Sequence, residues 1–238
     1  MSLRKRARCF IWRRRAGSTS SGFGLMDWRK DCLANFRLYA ITDLGREGPD
    51  IIPRLRQALR GGVDVIQLRS KTLSDAALIR LGTRIRVMTR KLRKLFVVND
   101  RPDLALAVDS DGVHLGQEDV PIRVARRIMN QRDKIIGRST HSLAQAFEAQ
   151  REGADYIGFG PIFKTPTKPT YEPLGLGLIS RLLGRIRIPV VLIGGIDRSN
   201  VEQVIASGGE RIAVVRAIFS RRDPYRAAKE LKGFLTGA

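Results

Sequence analysis

The sequence predicts a single (β/α)8 barrel, the TIM-barrel architecture of the α/β class, and three observations lead there. The chain has 238 residues, close to the roughly 250 that this fold usually takes. From Arg37 onward, short apolar, β-prone runs alternate with longer amphipathic stretches, the rhythm of a parallel sheet with right-handed crossovers. The strand candidates number eight, which favours closure into a barrel over an open doubly wound sheet.

Taken in order, residues 1–34 read as a basic, flexible extension and residues 35–238 as the barrel domain. The extension shows no helical or strand period, and Ser18 to Gly24 is a Ser/Gly segment of the kind that makes linkers. Its first 25 residues hold Arg4, Lys5, Arg6, Arg8, Arg13, Arg14 and Arg15 and no acid. That composition also resembles an organelle transit peptide, and a translation start at Met26 is a third reading. The strand candidates are Leu38–Ile41, Val65–Leu68, Leu95–Val98, Gly112–Leu115, Ile135–Gly137, Tyr156–Phe159, Val190–Ile193 and Ile212–Val215. Helix-like stretches between them include Ile51–Arg60, Asp75–Lys91, Ile122–Met129, Ser142–Glu152, Ser199–Ser207 and Pro224–Leu235. Ser74, Ser142 and Ser199 are expected to accept hydrogen bonds from the first free helical N–H groups.

Composition narrows the function classes. The chain is 43% hydrophobic and 28% charged, so it can build a core and does not read as disordered. No apolar run approaches the ~20 residues that span a bilayer, and Phe10 to Trp12 is too short for a secretory signal. Cys9 and Cys32 form no CxxC pair, which argues against a disulfide scaffold or zinc site and fits a reducing compartment such as the cytoplasm. The net charge of +21 attracts phosphates of any kind, whether nucleic acid, lipid or small substrates. A non-enzymatic phosphate or nucleic-acid binder is therefore one reading. Against it, Tyr and Trp number only 4 and 2, and no aromatic-basic interleaving marks a nucleic-acid surface.

In this fold chemistry sits on the loops that follow the strands, and the unusual residues collect there. Gln67, Arg69 and Lys71 end the second strand, and Asn99 and Asp100 the third. Gly116, Gln117 and Asp119 follow the fourth, and Ser139 and His141 the fifth. A long loop from Gly160 to Pro173, with Thr165, Thr167 and Lys168, follows the sixth. Gly194 and Gly195 follow the seventh, and Arg216 the eighth. Asp100 and Asp119 suit Mg2+, a hard cation usually bound by one or two carboxylates plus substrate phosphates. Arg69, Lys71 and Lys168 suit a diphosphate, and Gly194–Gly195 match the usual phosphate site of the fold. Two phosphate-binding ends and one Mg2+ imply two phosphorylated substrates or one elongated one. Each residue also has a plainer reading. Asp100 and Asp119 would cap helices, Gly194–Gly195 would make a tight turn, and the Thr-rich segment would be an ordinary surface loop. His114 would be a packed structural histidine and His141 a hydrogen-bonded turn residue.

Several segments together resemble the thiamine phosphate synthase family. They are Gln67-Leu68-Arg69-Ser70-Lys71, Val98-Asn99-Asp100, Asp111 to Asp119, Gly137-Arg138-Ser139-Thr140-His141, Gly158 to Phe163 with Thr165-Pro166-Thr167-Lys168, and Ile193-Gly194-Gly195-Ile196. The resemblance runs over about residues 37 to 220, in order and at suitable spacing. It implies a Mg2+-dependent TIM-barrel transferase that joins 4-amino-2-methyl-5-hydroxymethylpyrimidine diphosphate to hydroxyethylthiazole phosphate, releasing diphosphate. By motif, Gln67, Arg69, Lys71, Asn99, Ser139 and Lys168 would hold the pyrimidine diphosphate, with Arg69, Lys71 and Lys168 as the catalytic cations. Asp100 and Asp119 would bind Mg2+, and Thr165, Thr167, Gly195, Val215 and Arg216 would surround the thiazole phosphate. The family usually has Glu at Ser70 and Ser at Arg216. A sister family of thiazole tautomerases shares the Gly137 to Ser142 segment and would use His141 for proton transfer. It generally lacks the Mg2+ and diphosphate ligands kept here. Partners are expected to be small phosphorylated substrates and no membrane, with a homo-oligomer left open.

Overall fold

A computed structural model describes residues 26–44, 51–130, 133–166 and 170–237. Eight parallel strands close into a barrel in simple sequential order. They are β1 (Leu38–Ile41), β2 (Val65–Leu68), β3 (Leu95–Asn99), β4 (Gly112–Leu115), β5 (Ile135–Thr140), β6 (Tyr156–Phe159), β7 (Val190–Ile193) and β8 (Ile212–Val214). Ten helices are described: α1 (Met26–Asn35), α2 (Ile51–Arg60), α3 (Asp75–Lys91), α4 (Pro102–Ala107), α5 (Ile122–Met129), α6 (Leu143–Arg151), α7 (Gly177–Leu183), α8 (Val201–Ala206), α9 (Arg216–Phe219) and α10 (Pro224–Thr236). Among the described residues no helix is long and apolar enough to cross a membrane.

Because strand side chains alternate, the core divides in two. Leu38, Ala40, Ile66, Phe96, Val98, Val113, Leu115 and their counterparts on later strands pack outward against the helices. Tyr39, Ile41, Val65, Leu95, Val97, Ile135, Tyr156, Val191 and Ala213 fill the barrel interior. Both faces of each strand are buried, so the strands read in sequence as continuous apolar runs rather than alternating ones.

Local chemistry explains the helix starts. Ser74 Oγ accepts from the Ala77 N–H and Ser142 Oγ from the Gln145 N–H, as expected. Ser199 does not cap. Asn200 holds that position without a side-chain bond, and Ser199 Oγ instead donates to Asp197 Oδ1 at 2.6 Å. Pro102 and Pro224 stand at first helical positions, where a missing N–H is harmless. β5 runs three residues further than its apolar pattern suggests, because Ser139 and Thr140 still pair with Gly158 and Phe159 of β6. Ser139 lines the cavity, and Thr140, fully buried, donates through Oγ1 to the Gly158 carbonyl at 2.9 Å.

The expectation that the whole of residues 1–34 lacks regular structure is corrected for its last part. Met26–Asn35 is helix α1, and Trp28, Cys32 and Leu33 pack against the interior cluster at the foot of the barrel. The helix has almost no apolar periodicity because it holds on largely by charge. Arg29 is 8% exposed and donates through Nε to Asp111 Oδ1 at 2.7 Å and through Nη1 to Asp133 Oδ2 at 2.5 Å. The first 25 residues lie outside the described ones.

Asp111 is fully buried and also accepts from Arg86 Nη1 at 2.9 Å and the Phe96 N–H at 2.9 Å. Removing one partner of a buried pair commonly costs about 3–5 kcal/mol, and Asp111 keeps two of its donors without Arg29. Arg29→Ala is therefore expected to lower the unfolding free energy by about 2–4 kcal/mol, read as a shift in urea midpoint at constant slope. An unchanged midpoint would mean that α1 does not seal the barrel.

Candidate active site at the barrel mouth

The residues singled out by sequence converge on one cavity of about 1210 Å3 at the C-terminal ends of the strands. Gln67, Arg69, Lys71, Asn99, Asp100, Asp119, Ser139, Thr165, Gly195, Val215 and Arg216 all line it. Thr167 and Lys168 lie outside the described residues.

The second strand's loop is tied to the first. Thr42, fully buried at the end of β1, donates through Oγ1 to the Arg69 carbonyl at 3.0 Å and accepts from the Arg69 N–H at 2.9 Å. Asp43 Oδ1 lies 3.6 Å from Arg69 Nη1, so the guanidinium is steered as well as tethered. Sequence reading missed both residues, since Thr42 and Asp43 carry no motif of their own. Ser70, at the family's Glu position, accepts from the Thr72 and Leu73 N–H groups at 3.2 and 3.0 Å and shapes the turn that holds Lys71.

The two acids are set by backbone rather than by helix capping. Asp100 adopts a left-handed conformation, φ 64°, while its N–H donates to the His114 carbonyl at 2.8 Å. Arg101 precedes α4 with no side-chain cap, and Pro121 does the same for α5. Neither Asp100 nor Asp119 is thus the N-cap residue of the helix that follows it. Asp119 Oδ2 accepts from the Gly116 N–H at 2.5 Å, closing a tight turn. Arg138 braces that turn from β5, donating to the Gln117 carbonyl at 3.1 Å and the Val120 carbonyl at 3.4 Å. Glu118 lines the same wall. No cluster of three or more potential metal-ligating side chains occurs among the described residues.

Gly194 and Gly195 form more than a surface turn. Both have positive φ, 100° and 67°, and a Cβ on Gly194 would collide with Pro161, one on Gly195 with the Lys164 carbonyl. The loop after β6 lies on them: the Phe163 N–H donates to the Gly194 carbonyl at 2.9 Å and Ile162 to Ile193 at 2.8 Å. α9, a short extra helix, starts beside them at Arg216, the arrangement that commonly binds phosphate in this fold. Arg216 is exposed, and its guanidinium has no ion-pair partner among the described residues. His141 is the turn residue its position suggests, with Nδ1 at 2.6 Å from the Gly160 carbonyl and its ring 4.3 Å from that of Tyr171. His114 is buried at 9% yet also reaches the cavity wall.

A closed parallel barrel with charged side chains and a glycine turn gathered at its mouth defines the (β/α)8 enzyme class. The sequence places the chain within that class: residues 38–218 match the thiamine monophosphate synthase family, and the chain belongs to it. A thiamine-phosphate synthase of Gloeobacter violaceus is 48% identical over 194 residues, 82% of this chain and 56% of that protein. That of Shouchella clausii is 45% identical over 200 residues, 82% of this chain and 94% of its own length. A thiamine phosphate pyrophosphorylase from Pyrococcus furiosus superimposes with a TM-score of 0.78 at 40% identity, over 85% of this chain and 96% of that one. The chain thus spans little more than half of the first relative and nearly all of the other two.

Arg216 starts α9 and lines the cavity beside the β7 and β8 loops, and a charge-assisted hydrogen bond from it to an anion would be worth about 1.5–3 kcal/mol. Its exposure favours the lower end. Arg216→Ser is expected to weaken binding of a phosphate monoester by about tenfold, since 1.4 kcal/mol is one decade. Calorimetric titration checks this, and unchanged affinity would leave the guanidinium in solvent.

Proposed function

We propose that the chain is a thiamine phosphate synthase, condensing the pyrimidine diphosphate with hydroxyethylthiazole phosphate. The observation that supports this most is the gathering of two chemically distinct anion-binding regions in one cavity: the Arg69 and Lys71 side with the two aspartates, and the Gly194–Gly195 side with Arg216. One cavity bordered by both sets of cations suits two phosphorylated substrates held with their reactive ends together.

Arg69 and Lys71, with Lys168 by family resemblance, hold the diphosphate. As the bond between the pyrimidine methylene and the diphosphate oxygen breaks, its electron pair leaves with the diphosphate. Fixed cations that already surround that oxygen stabilise the charge that develops there. The methylene cation is stabilised by the aminopyrimidine ring, held between Gln67, Asn99 and Ser139. The thiazole nitrogen then forms the new C–N bond with its lone pair. It has no proton to lose, so the step needs no general base.

The residues present suit Mg2+. Asp100 and Asp119 offer oxygen donors only, from neighbouring loops on one wall, and two carboxylates suffice where substrate phosphates complete the shell. Bound there, Mg2+ would supply further charge neutralisation for the diphosphate. Asp119→Asn is expected to cut Mg2+-dependent turnover on the order of 10²–10³ with an unchanged melting temperature. Near-normal turnover would remove Asp119 from the metal site.

The competing reading is thiazole tautomerisation through His141, which lines the same cavity. In the synthase reading His141 moves no proton, because the attacking thiazole nitrogen has none to lose. His141→Asn is then expected to leave condensation within about tenfold of the parent, whereas a general acid or base contributes about 10²–10⁴. The two thiazole isomers should be assayed in parallel, and tautomerisation without condensation would overturn the synthase reading.

A further inference from the structure

A continuous chain of polar side chains crosses the barrel interior beneath the cavity, and the reaction described above makes no use of its middle. Gln67 Nε2 donates to the Tyr39 hydroxyl at 2.9 Å. The Tyr39 and Tyr156 hydroxyls are 2.9 Å apart. The Tyr156 hydroxyl is 2.9 Å from His114 Nδ1, and His114 Nε2 is 2.9 Å from Ser139 Oγ. The two ends, Gln67 and Ser139, line the cavity, while Tyr39 and Tyr156 are each 2% exposed.

The chain is built into the packing. His114 pairs in register with Gly137, and Gly137 with Tyr156. A Cβ on Gly137 would occupy the space of the Tyr156 ring, and one on Gly158 would touch His114. Two glycines thus leave room for two rings. Burial pushes both phenols above their ordinary pKa, so each keeps its proton.

One hydrogen per phenol fixes the direction of every link. Tyr39 accepts from Gln67, so its own O–H goes to Tyr156. Tyr156, having accepted, donates to His114 Nδ1. An accepting Nδ1 leaves the neutral ring's hydrogen on Nε2, which donates to Ser139 Oγ. Ser139 then has its own hydrogen left for a ligand. Gln67, with one amide N–H engaged inward at Tyr39, turns its carbonyl oxygen toward one. Reversing one link requires reversing all of them.

We propose that Tyr39, Tyr156 and His114 are positioning residues that lock Gln67 and Ser139 into opposite hydrogen-bonding polarity. The cavity then selects a ring whose edge offers one donor and one acceptor, as a 4-aminopyrimidine does with its amino group and ring nitrogen. A 4-oxopyrimidine offers the reverse, a carbonyl and a ring N–H, and sets its carbonyl against that of Gln67. In taking the ring to be a pyrimidine, the inference rests on the proposed function.

The test compares 4-aminopyrimidine diphosphate with its 4-oxo counterpart. The parent is expected to prefer the amino form on the order of 10²-fold in kcat/KM, since a mismatched ligand leaves buried polar groups unpaired. In Tyr39→Phe or Tyr156→Phe the two ends turn independently. KM for the amino substrate should rise about tenfold and the preference should fall below about tenfold, while KM for the thiazole phosphate stays put. Two variants are used so that a failure of one to fold leaves the other. An undiminished preference in a folded variant would overturn the proposal. The chain has two histidines, so 15N NMR in a His141→Asn background reports His114 alone. An Nε2-protonated neutral ring that loses this fixed tautomer in Tyr156→Phe is expected. An Nδ1-protonated or doubly protonated ring would overturn the proposal. This signal needs no turnover, so the relay remains testable if the parent forms no thiamine phosphate and the proposed function falls.

Discussion

A parallel barrel closes only when each strand is staggered correctly against the next, and here three aspartates hold that stagger. Asp64, Asp111 and Asp155 each lie just before an even-numbered strand, and each accepts from the backbone of the odd-numbered strand before it. Asp64 takes the Arg37 and Leu38 N–H groups, Asp111 that of Phe96, and Asp155 that of Ile136. Each is matched by cations from elsewhere in the chain: Lys94 and Lys232, Arg29 and Arg86, and Arg126. Burial alone would raise the Asp64 carboxyl, but hydrogen bonds from Lys232, Lys94 and the Arg37 N–H outweigh it and hold the group below the usual carboxylate range. A one-residue slip would turn every inward side chain outward. Gln67, Asn99, His114 and Ser139 face one interior because these pins hold.

The foot and the mouth of the barrel use charge in opposite ways. At the foot, cations and carboxylates neutralise one another and α1 seals the interior. At the mouth, Arg69, Lys71 and Arg216 border the same cavity as Asp100, Glu118 and Asp119, so charge of both signs is turned toward a ligand rather than toward the packing. Much of the +21 surplus is spread over exposed helix faces, on α3 at Arg80, Arg84, Arg90 and Lys91 for example. The overall balance therefore says less about the ligand than the few cations at the strand ends do.

The barrel was legible because apolar runs and amphipathic stretches alternate at regular spacing, and the mouth because its residues sit one to three places past each run. What escaped had no such pattern. α1 is fixed by Arg29 and its partners at Asp111 and Asp133, some 82 and 104 residues away, and no local window contains that pairing. α4, α7 and α9 have six, seven and four residues, too short for a 3.6-residue period to emerge. The last residues of β5 were hidden because Ser139 and Thr140 look like loop residues, although Ser139 faces the cavity from the strand and Thr140 is buried on its other side. The Tyr39–Tyr156 contact joins the first and sixth strands, and only the closed barrel brings the two phenols together.

The seal at the foot also bears on traffic. With Phe36 packed edge to face on Tyr39 and Tyr156 below and α1 beneath them, the described residues close the interior at its foot and leave the mouth as the doorway. Everything that enters or departs shares that doorway. Whichever ligand settles deeper has to arrive before the shallower one, and it can depart only after the shallower one has cleared the way. Sequence of entry is thus a property of the architecture before any question of affinity arises.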